Sequence, residues 1–165
     1  MDMTLGILKP KKADLSRLRE AVQSNSSDDT LARFMPDSAW EVLAEYLSQE
    51  KVERGHVLIA QGALDRTLYF LESGILRVHR GHNNAELQLA ILGPGSVVGE
   101  GAFFSHIERS ATVQATQTAV LWALTPRRFD AMSKEHPQAA LALSMALGAV
   151  ISTRMLHVAR KISIT

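Results

Sequence analysis

From Glu50 onward the chain changes its period. Short runs of branched and aromatic residues alternate with glycine breaks: 57–60 before Gly62, 67–71 before Gly74, 75–80 before Gly81, 87–92 before Gly93 and Gly95, then 112–115 and 119–124. Runs this short, recurring roughly every 8–12 residues, pair most simply as antiparallel strands of a sandwich or barrel. Each glycine break has a structural reading, a turn that needs positive φ. The strands therefore predict a β-roll over residues 50–125.

Helical signals lie on both sides. Residues 1–29 read as a leader whose 11–23 segment carries Leu15, Leu18 and Val22 at helical spacing, ringed by Lys11, Lys12, Arg17 and Arg19. That amphipathic segment suits a solvated docking helix; contact with a partner, membrane or nucleic acid competes with this reading. A second helix is expected over 31–48, restarted at Pro36-Asp37-Ser38, with Trp40, Leu43, Ala44 and Leu47 on one face. After the strands, Thr125 suits a cap and Pro126 a first helical position. His136-Pro137 marks a bend, and a long helix continues to about Ile162, so the C-terminal helices span 126–162 of a folded domain over 30–165. Leu141, Leu143, Met145, Leu147, Val150 and Ile151 cover more than one face of that helix. The row Ala140, Leu143, Leu147, Val150, Arg154 has the spacing of a helix–helix seam. It predicts a homodimer through the C-terminal helix, with an intramolecular core as the alternative.

Composition narrows the function. Lys+Arg is 18 against 17 Asp+Glu, a net charge of +1, so charge alone gives no case for nucleic acid. The chain contains no cysteine, which removes disulfides and thiolate metal sites. The 1–9 segment lacks a basic region followed by a long apolar run, and the apolar stretch at 141–151 is short and followed by Arg154. The expected setting is the cytoplasm, with no membrane. Neither a nucleophile–base pair nor a metal-binding histidine pattern emerges among the six histidines, so an enzyme is not expected.

The segment 98–112 holds the candidate chemistry. Gly99 and Gly101 flank Glu100; nine residues later comes Arg109, followed by the small residues Ser110, Ala111 and Thr112. An arginine fork suits an anionic oxygen pair, a carboxylate accepts from a hydroxyl, and small residues let backbone N–H groups approach an anion. An acid and a base at the ends of a compact loop suit a ligand carrying both a phosphate and a sugar. The alternative is an ion pair between Glu100 and Arg109 with a structural role only.

Set among the surrounding residues, the segment resembles a known family. Gly55, the run 59–62, the run 68–71, Gly74 and Val78 resemble the first half of a cyclic nucleotide-binding domain. Gly95, Gly99-Glu100, the run 109–113, Ala115, Leu121-Trp122 and Phe129 resemble its second half, as found in the catabolite activator protein class and in cyclic-nucleotide-dependent kinases and channels. The resemblance covers about residues 38–162. It implies an α+β, mainly β fold: a jelly-roll β-barrel flanked by N-terminal helices and a C-terminal helix pair. It also implies that Arg109 meets the cyclic phosphate, Glu100 the ribose 2′-hydroxyl, and Gly99 the close passage of backbone past the sugar. Backbone N–H groups of Ala102, Ser110 and Ala111 are the implied further donors. Arg154 and Met155 would close over the base from the last helix; the competing reading of Arg154 is a surface charge favoured by a helix C-terminus.

Two residues depart from the pattern or leave it open. Gly101 stands where the family often has a larger apolar residue, and it would loosen the short helix around the ribose. Ser110 occupies the position where family members choose their base, alanine accompanying cAMP and threonine cGMP. It favours cAMP here and leaves cGMP open. The expected function is a cyclic nucleotide sensor that relays occupancy through its C-terminal helices to an unknown downstream protein, with no cofactor. A degenerate roll used for dimerisation or scaffolding, and an effector domain for another small anion, are the alternatives. Because the chain ends three residues after Ile162, no helix-turn-helix is expected to follow and no DNA binding by this chain alone.

Overall fold

A computed structural model describes residues 11–163; the readings placed on 1–10 and 164–165 lie outside the described residues. Eight strands form two four-stranded antiparallel sheets, ordered β1-β8-β3-β6 and β2-β7-β4-β5. The strands are β1 (Ser48–Val52), β2 (Val57–Ile59), β3 (Leu68–Ser73), β4 (Leu76–His82), β5 (Ala85–Leu92), β6 (Val97–Val98), β7 (Thr112–Ala115) and β8 (Ala119–Leu124). Helices α1 (Ser16–Ser24) and α2 (Asp37–Leu43) precede the roll, α3 (Glu100–Ser105) interrupts it, and α4 (Pro126–Glu135) and α5 (Pro137–Ser163) follow. The roll is of jelly-roll type and is not closed into a complete barrel.

The two central strands explain how the layers are held. On β3, Tyr69 and Leu71 face the opposite sheet while Leu68 and Phe70 face the helices. On β8, Leu121 and Ala123 face the opposite sheet while Trp122 and Leu124 face the helices. Both strands are covered on two sides, so residues 68–71 of β3 and all of β8 read as apolar runs. The inter-sheet core adds Ile59, Leu76, Val98 and Val113. Trp40, Leu43, Phe103, Met132, Leu143 and Leu147 build the second core, between sheet and helices. Trp122 Nε1 donates to Glu72 Oε2 at 2.6 Å, satisfying a buried carboxylate within that wall.

Several expectations shift at element boundaries. The leader helix begins at Ser16, where Asp14 Oδ1 accepts from the Ser16 N–H at 2.9 Å. The helix expected over 31–48 is divided: a 3-10 turn at Leu31–Arg33, α2 at Asp37–Leu43, then strand β1 from Ser48. Proline at 36 lacks the N–H that a continuous helix needs, so the helix restarts after it. Strand β1 has only Val52 buried and is otherwise polar, which suits an edge strand and hides it from a hydrophobic pattern. The β4–β5 connection turns at Asn83 and Asn84, both with positive φ, as a tight two-residue hairpin requires. At the other end Thr125 Oγ1 accepts from the Arg128 N–H at 3.2 Å, and Pro126 opens α4 as expected.

Helix α1 is part of the helix-facing core through Leu18 and Val22, with Leu15 just before it. It sits on the β5–β6 turn, where Gly95 has φ +86° and a Cβ would lie 2.5 Å from the Ala21 carbonyl oxygen. Asn25 Nδ2 donates to the Pro94 carbonyl at 2.9 Å beside it.

The expected dimer seam is corrected. Ala140, Leu143, Leu147 and Val150 are buried inside the protomer against the helix-facing core, and Arg154 makes intramolecular ion pairs. The intramolecular alternative therefore holds for that row. A different row of α5 is exposed: Leu141, Met145, Gly148, Ser152, Met155 and Ala159. By length and composition α5 could cross a membrane, with a mean hydropathy of 1.6 over 18 residues, a third of that window being buried. Among the described residues it is the one such helix.

Candidate functional site: a cradle at the mouth of the roll

Glycine at 99 starts the site. It leaves β6 with φ +91°, a backbone conformation that side chains disfavour, and a Cβ there would meet Arg109 Nη1 and the Thr67 carbonyl oxygen at 2.8 Å each. Both requirements admit only glycine. The turn delivers Glu100 into the first turn of α3, where a negative charge is favoured by the helix N-terminus. Phe103 anchors α3 from below, edge-on to Phe129 of α4 with ring centroids 5.2 Å apart. His106 closes α3 in the left-handed region at φ +60°. Gly101 does not prevent α3 from forming. It is exposed, its φ is ordinary, and no atom lies within 4 Å of where a Cβ would be.

Arg109 is the buried charge of the site, its side chain 3% exposed. Its Nη2 donates to Asp65 Oδ1 at 2.6 Å and to the Thr67 carbonyl at 2.7 Å. Nε reaches Asp65 Oδ2 at 3.4 Å, and Nη1 donates to the Gly99 carbonyl at 3.0 Å. A guanidinium has five N–H donors. These four bonds fix the plane of the fork and leave one Nη1 hydrogen over. The Arg109 hydrogen bond and charge hold the Asp65 carboxyl below its ordinary pKa, against the opposing effect of partial burial. Neither Asp65 nor Thr67 was read as a site residue from the sequence. The signal was the cost of a buried guanidinium, which demands a counter-charge.

Glu100 and Arg109 do not pair with each other: Glu100 is bound by Arg154 and Arg109 by Asp65. A purely structural Glu100–Arg109 bridge is therefore set aside. Arg154 also binds Asp29 through Nε at 2.6 Å and the Val97 carbonyl through Nη2 at 2.9 Å. Burial works against the charged Arg154, but the charges of Glu100 and Asp29 and their hydrogen bonds raise its pKa above the ordinary arginine value. Arg154 lies nine positions before Ser163, the end of α5, too far inside the helix for its C-terminal dipole to account for its place.

A cavity of about 440 Å³ opens between the sheets at this point. Gly99, Glu100, Gly101, Ala102, Arg109, Ser110, Ala111 and Arg154 all line it, with Ile59, Val78, Leu92, Val98 and Val113 as its apolar floor. Met155 lies elsewhere. It is 68% exposed and lines a second groove of about 370 Å³ along α5, which shares only Glu100 and Arg154 with the cavity. An apolar cleft with one buried cation, one carboxylate and the unbonded first-turn N–H groups of a helix can hold a small anion that also carries hydroxyls.

A two-sheet roll with this cavity at its mouth is a jelly-roll domain with a candidate ligand site. The chain belongs to the cyclic nucleotide-binding domain family, whose sequence profile matches residues 49–136. It is 30% identical over 126 residues to a cAMP-dependent protein kinase regulatory subunit of Blastocladiella emersonii, covering 76% of this chain and 31% of that protein. It is 32% identical over 98 residues to the cyclic AMP receptor protein of Thermus thermophilus, covering 59% of this chain and 45% of that one. Among solved structures, the catabolite activator protein of Thermus thermophilus superposes with a TM-score of 0.70 at 26% identity, over 81% of this chain and 62% of that one. The chain thus spans less than half the length of both curated relatives.

Proposed function

We propose that the domain is a non-enzymatic cyclic nucleotide sensor, with cAMP as the preferred ligand. The observation that carries this reading is the convergence of eight site residues, drawn from the Gly99 turn, α3, the 109–111 turn and α5, on one cavity. Arg109 would take an equatorial oxygen of the cyclic phosphate through its remaining Nη1 hydrogen, with backbone N–H groups of Ala102, Ser110 and Ala111 completing the anion site. Glu100 would accept the ribose 2′-hydroxyl. Ser110, at the position the resemblance gives to choice of base, favours cAMP, as do the cAMP-dependent and cyclic AMP receptor relatives. A calorimetric competition checks the choice: cAMP should displace bound cGMP at lower concentration than the reverse. Equal displacement would remove the base preference, and binding of neither would leave a scaffold role.

The Phe103–Phe129 contact supports a relay to the C-terminal helices, because α3 moves only if that edge-on pair adjusts. A homodimer is supported by a separate observation. Leu141, Met145, Gly148, Ser152, Met155 and Ala159 recur at spacings of four and three along an exposed face of α5, with small residues that let helices approach. In this reading the protein acts in the cytoplasm and hands its signal to a protein partner.

A further inference from the structure

One sheet loses a strand at the cavity. The β4–β7 pairing ends with His79 opposite Thr112, since β7 begins at Thr112 and the residues before it, 109–111, line the cavity instead. The β4–β5 hairpin runs on without that neighbour, pairing from Arg80 with Leu87 to His82 with Ala85. Its register also slips between Val78 and His79, a bulge that bends the hairpin where β7 stops. Every residue from 80 to 89 is exposed. A bent two-stranded ribbon of this kind has little to fix its direction by itself.

Gln61 supplies the missing rung. Its Oε1 accepts from the Gly81 N–H at 2.9 Å, and its Nε2 donates to the Gly81 carbonyl at 3.3 Å. A side-chain amide carries the same donor and acceptor as a peptide group, so it can bond both backbone groups of one residue, as an opposing strand residue does. Gln61 is itself fixed to the segment that carries Arg109. Its N–H donates to Thr112 Oγ1 at 3.1 Å, and the next N–H, of Gly62, donates to the Arg109 carbonyl at 2.8 Å. Glu86 is bonded within the hairpin, to Arg77 and His79. Among the described residues, the Gln61 amide makes the hydrogen bonds that join residues 80–89 to the chain outside the hairpin, and no ion pair does so.

The root of this hairpin is a wall of the cavity, through Val78 of β4 and Ala90 and Leu92 of β5. These three keep exposed surface, whereas Ile59, Val98 and Val113 are buried in the inter-sheet core. With phosphate and sugar taken up by the polar groups, a flat apolar base is left this wall to lie against. We propose that Gln61 is a positioning residue for that base: its amide bridges the Arg109 segment to Gly81 and sets the angle of the β4–β5 hairpin, and so the spacing between the phosphate site and the wall. The proposal rests on the reading that the cavity holds a cyclic nucleotide with its phosphate on Arg109. Gln61 acts through the hairpin and not on the ligand. Its removal loosens the wall and leaves the phosphate and sugar contacts in place.

A ligand without a base separates the two ends of the site. Binding of cAMP and of a base-less methyl riboside 3′,5′-cyclic phosphate is measured for the full chain, for Gln61→Met and for Gln61→Glu, with thermal unfolding showing that each variant is folded. Methionine keeps the length of the side chain and loses both bonds. Glutamate keeps the acceptor for the Gly81 N–H but sets an oxygen against the Gly81 carbonyl. Gln61→Met should bind cAMP roughly fivefold more weakly, the scale of one or two exposed hydrogen bonds, and the base-less ligand with unchanged affinity. Gln61→Glu should fall between wild type and Gln61→Met for cAMP. In the free protein, amide exchange at Gly81 and across 80–88 should be faster in Gln61→Met, with the rest of the sheet unchanged. An equal loss for both ligands would overturn the proposal, since Gln61 would then serve the Arg109 segment rather than the wall. Unchanged cAMP binding by Gln61→Met would also overturn it, with the nucleotide reading intact. Failure of the wild-type chain to bind either ligand would refute the nucleotide reading, and the positioning role with it.

Discussion

Arg109 keeps its charge in a site where the side chain is 3% exposed, and Asp65 is what makes that tolerable. Because the Asp65 carboxyl has its pKa lowered in the folded protein, chiefly by the Arg109 hydrogen bond, the pair stabilises the fold fully above the unfolded aspartate value of about 3.9. That contribution is lost as pH falls through the lowered folded value. Thermal midpoints measured against pH should drop on the acid side of pH ~4, and Asp65→Asn should flatten that limb. Burial works against an ionised Asp29, yet its pKa is lowered too, with the Arg154 hydrogen bond and charge among the causes, so the Arg154 tether weakens in the same acid range. The glycines at 99 and 101 separate by the same kind of reasoning. Gly99 has no room for a side chain, whereas Gly101 sits in a helix with open space beyond its Cα. Gly101→Ala should raise stability by about 0.5–1 kcal/mol, read as an upward shift of the unfolding midpoint. A drop would mean that α3 is strained at that position.

At the level of elements, the strands that face two cores were legible because residues 68–71 of β3 and the whole of β8 are apolar. The edge strand β1 and the two-residue β6 were not. One is polar along most of its length and the other is too short to show a period. The restart at Pro36 was legible in the helix expected over 31–48, but the 3-10 turn before it and the change to strand at Ser48 were not. Within the site, the acid and arginine on the 99–111 segment could be read from sequence because they lie close in the chain. Asp65 and Asp29 could not, since each meets its arginine across 44 and 125 residues respectively. Helix α3 is the element that would carry ligand occupancy outward, through Phe103 against Phe129. Phe103→Leu should keep nucleotide affinity within a few-fold while reducing ligand-dependent changes in hydrogen exchange across α4 and α5. Unchanged exchange responses would remove this contact from the relay.

For the whole molecule, the roll, the leader helix and the first half of α5 share one continuous helix-facing core, with Leu18 of α1 and Leu143 of α5 both fully buried in it. What remains outward is the exposed face of α5, the surface assigned to a second copy. Met145→Glu, at a position 69% exposed, should leave the fold intact and lower the mass measured by light scattering from dimer to monomer. A monomeric wild-type chain at high concentration would contradict the dimer. The central claim is that the cavity holds a cyclic nucleotide by its phosphate on Arg109. Calorimetric titration with cAMP, comparing the wild-type chain with a folded Arg109→Lys variant, tests it most directly. Lysine keeps the charge but loses the planar fork held by Asp65, Thr67 and Gly99. The account predicts saturable one-site binding by the wild type and an affinity loss of about tenfold or more in the variant, or ~1.4 kcal/mol. Equal binding by both proteins would contradict it.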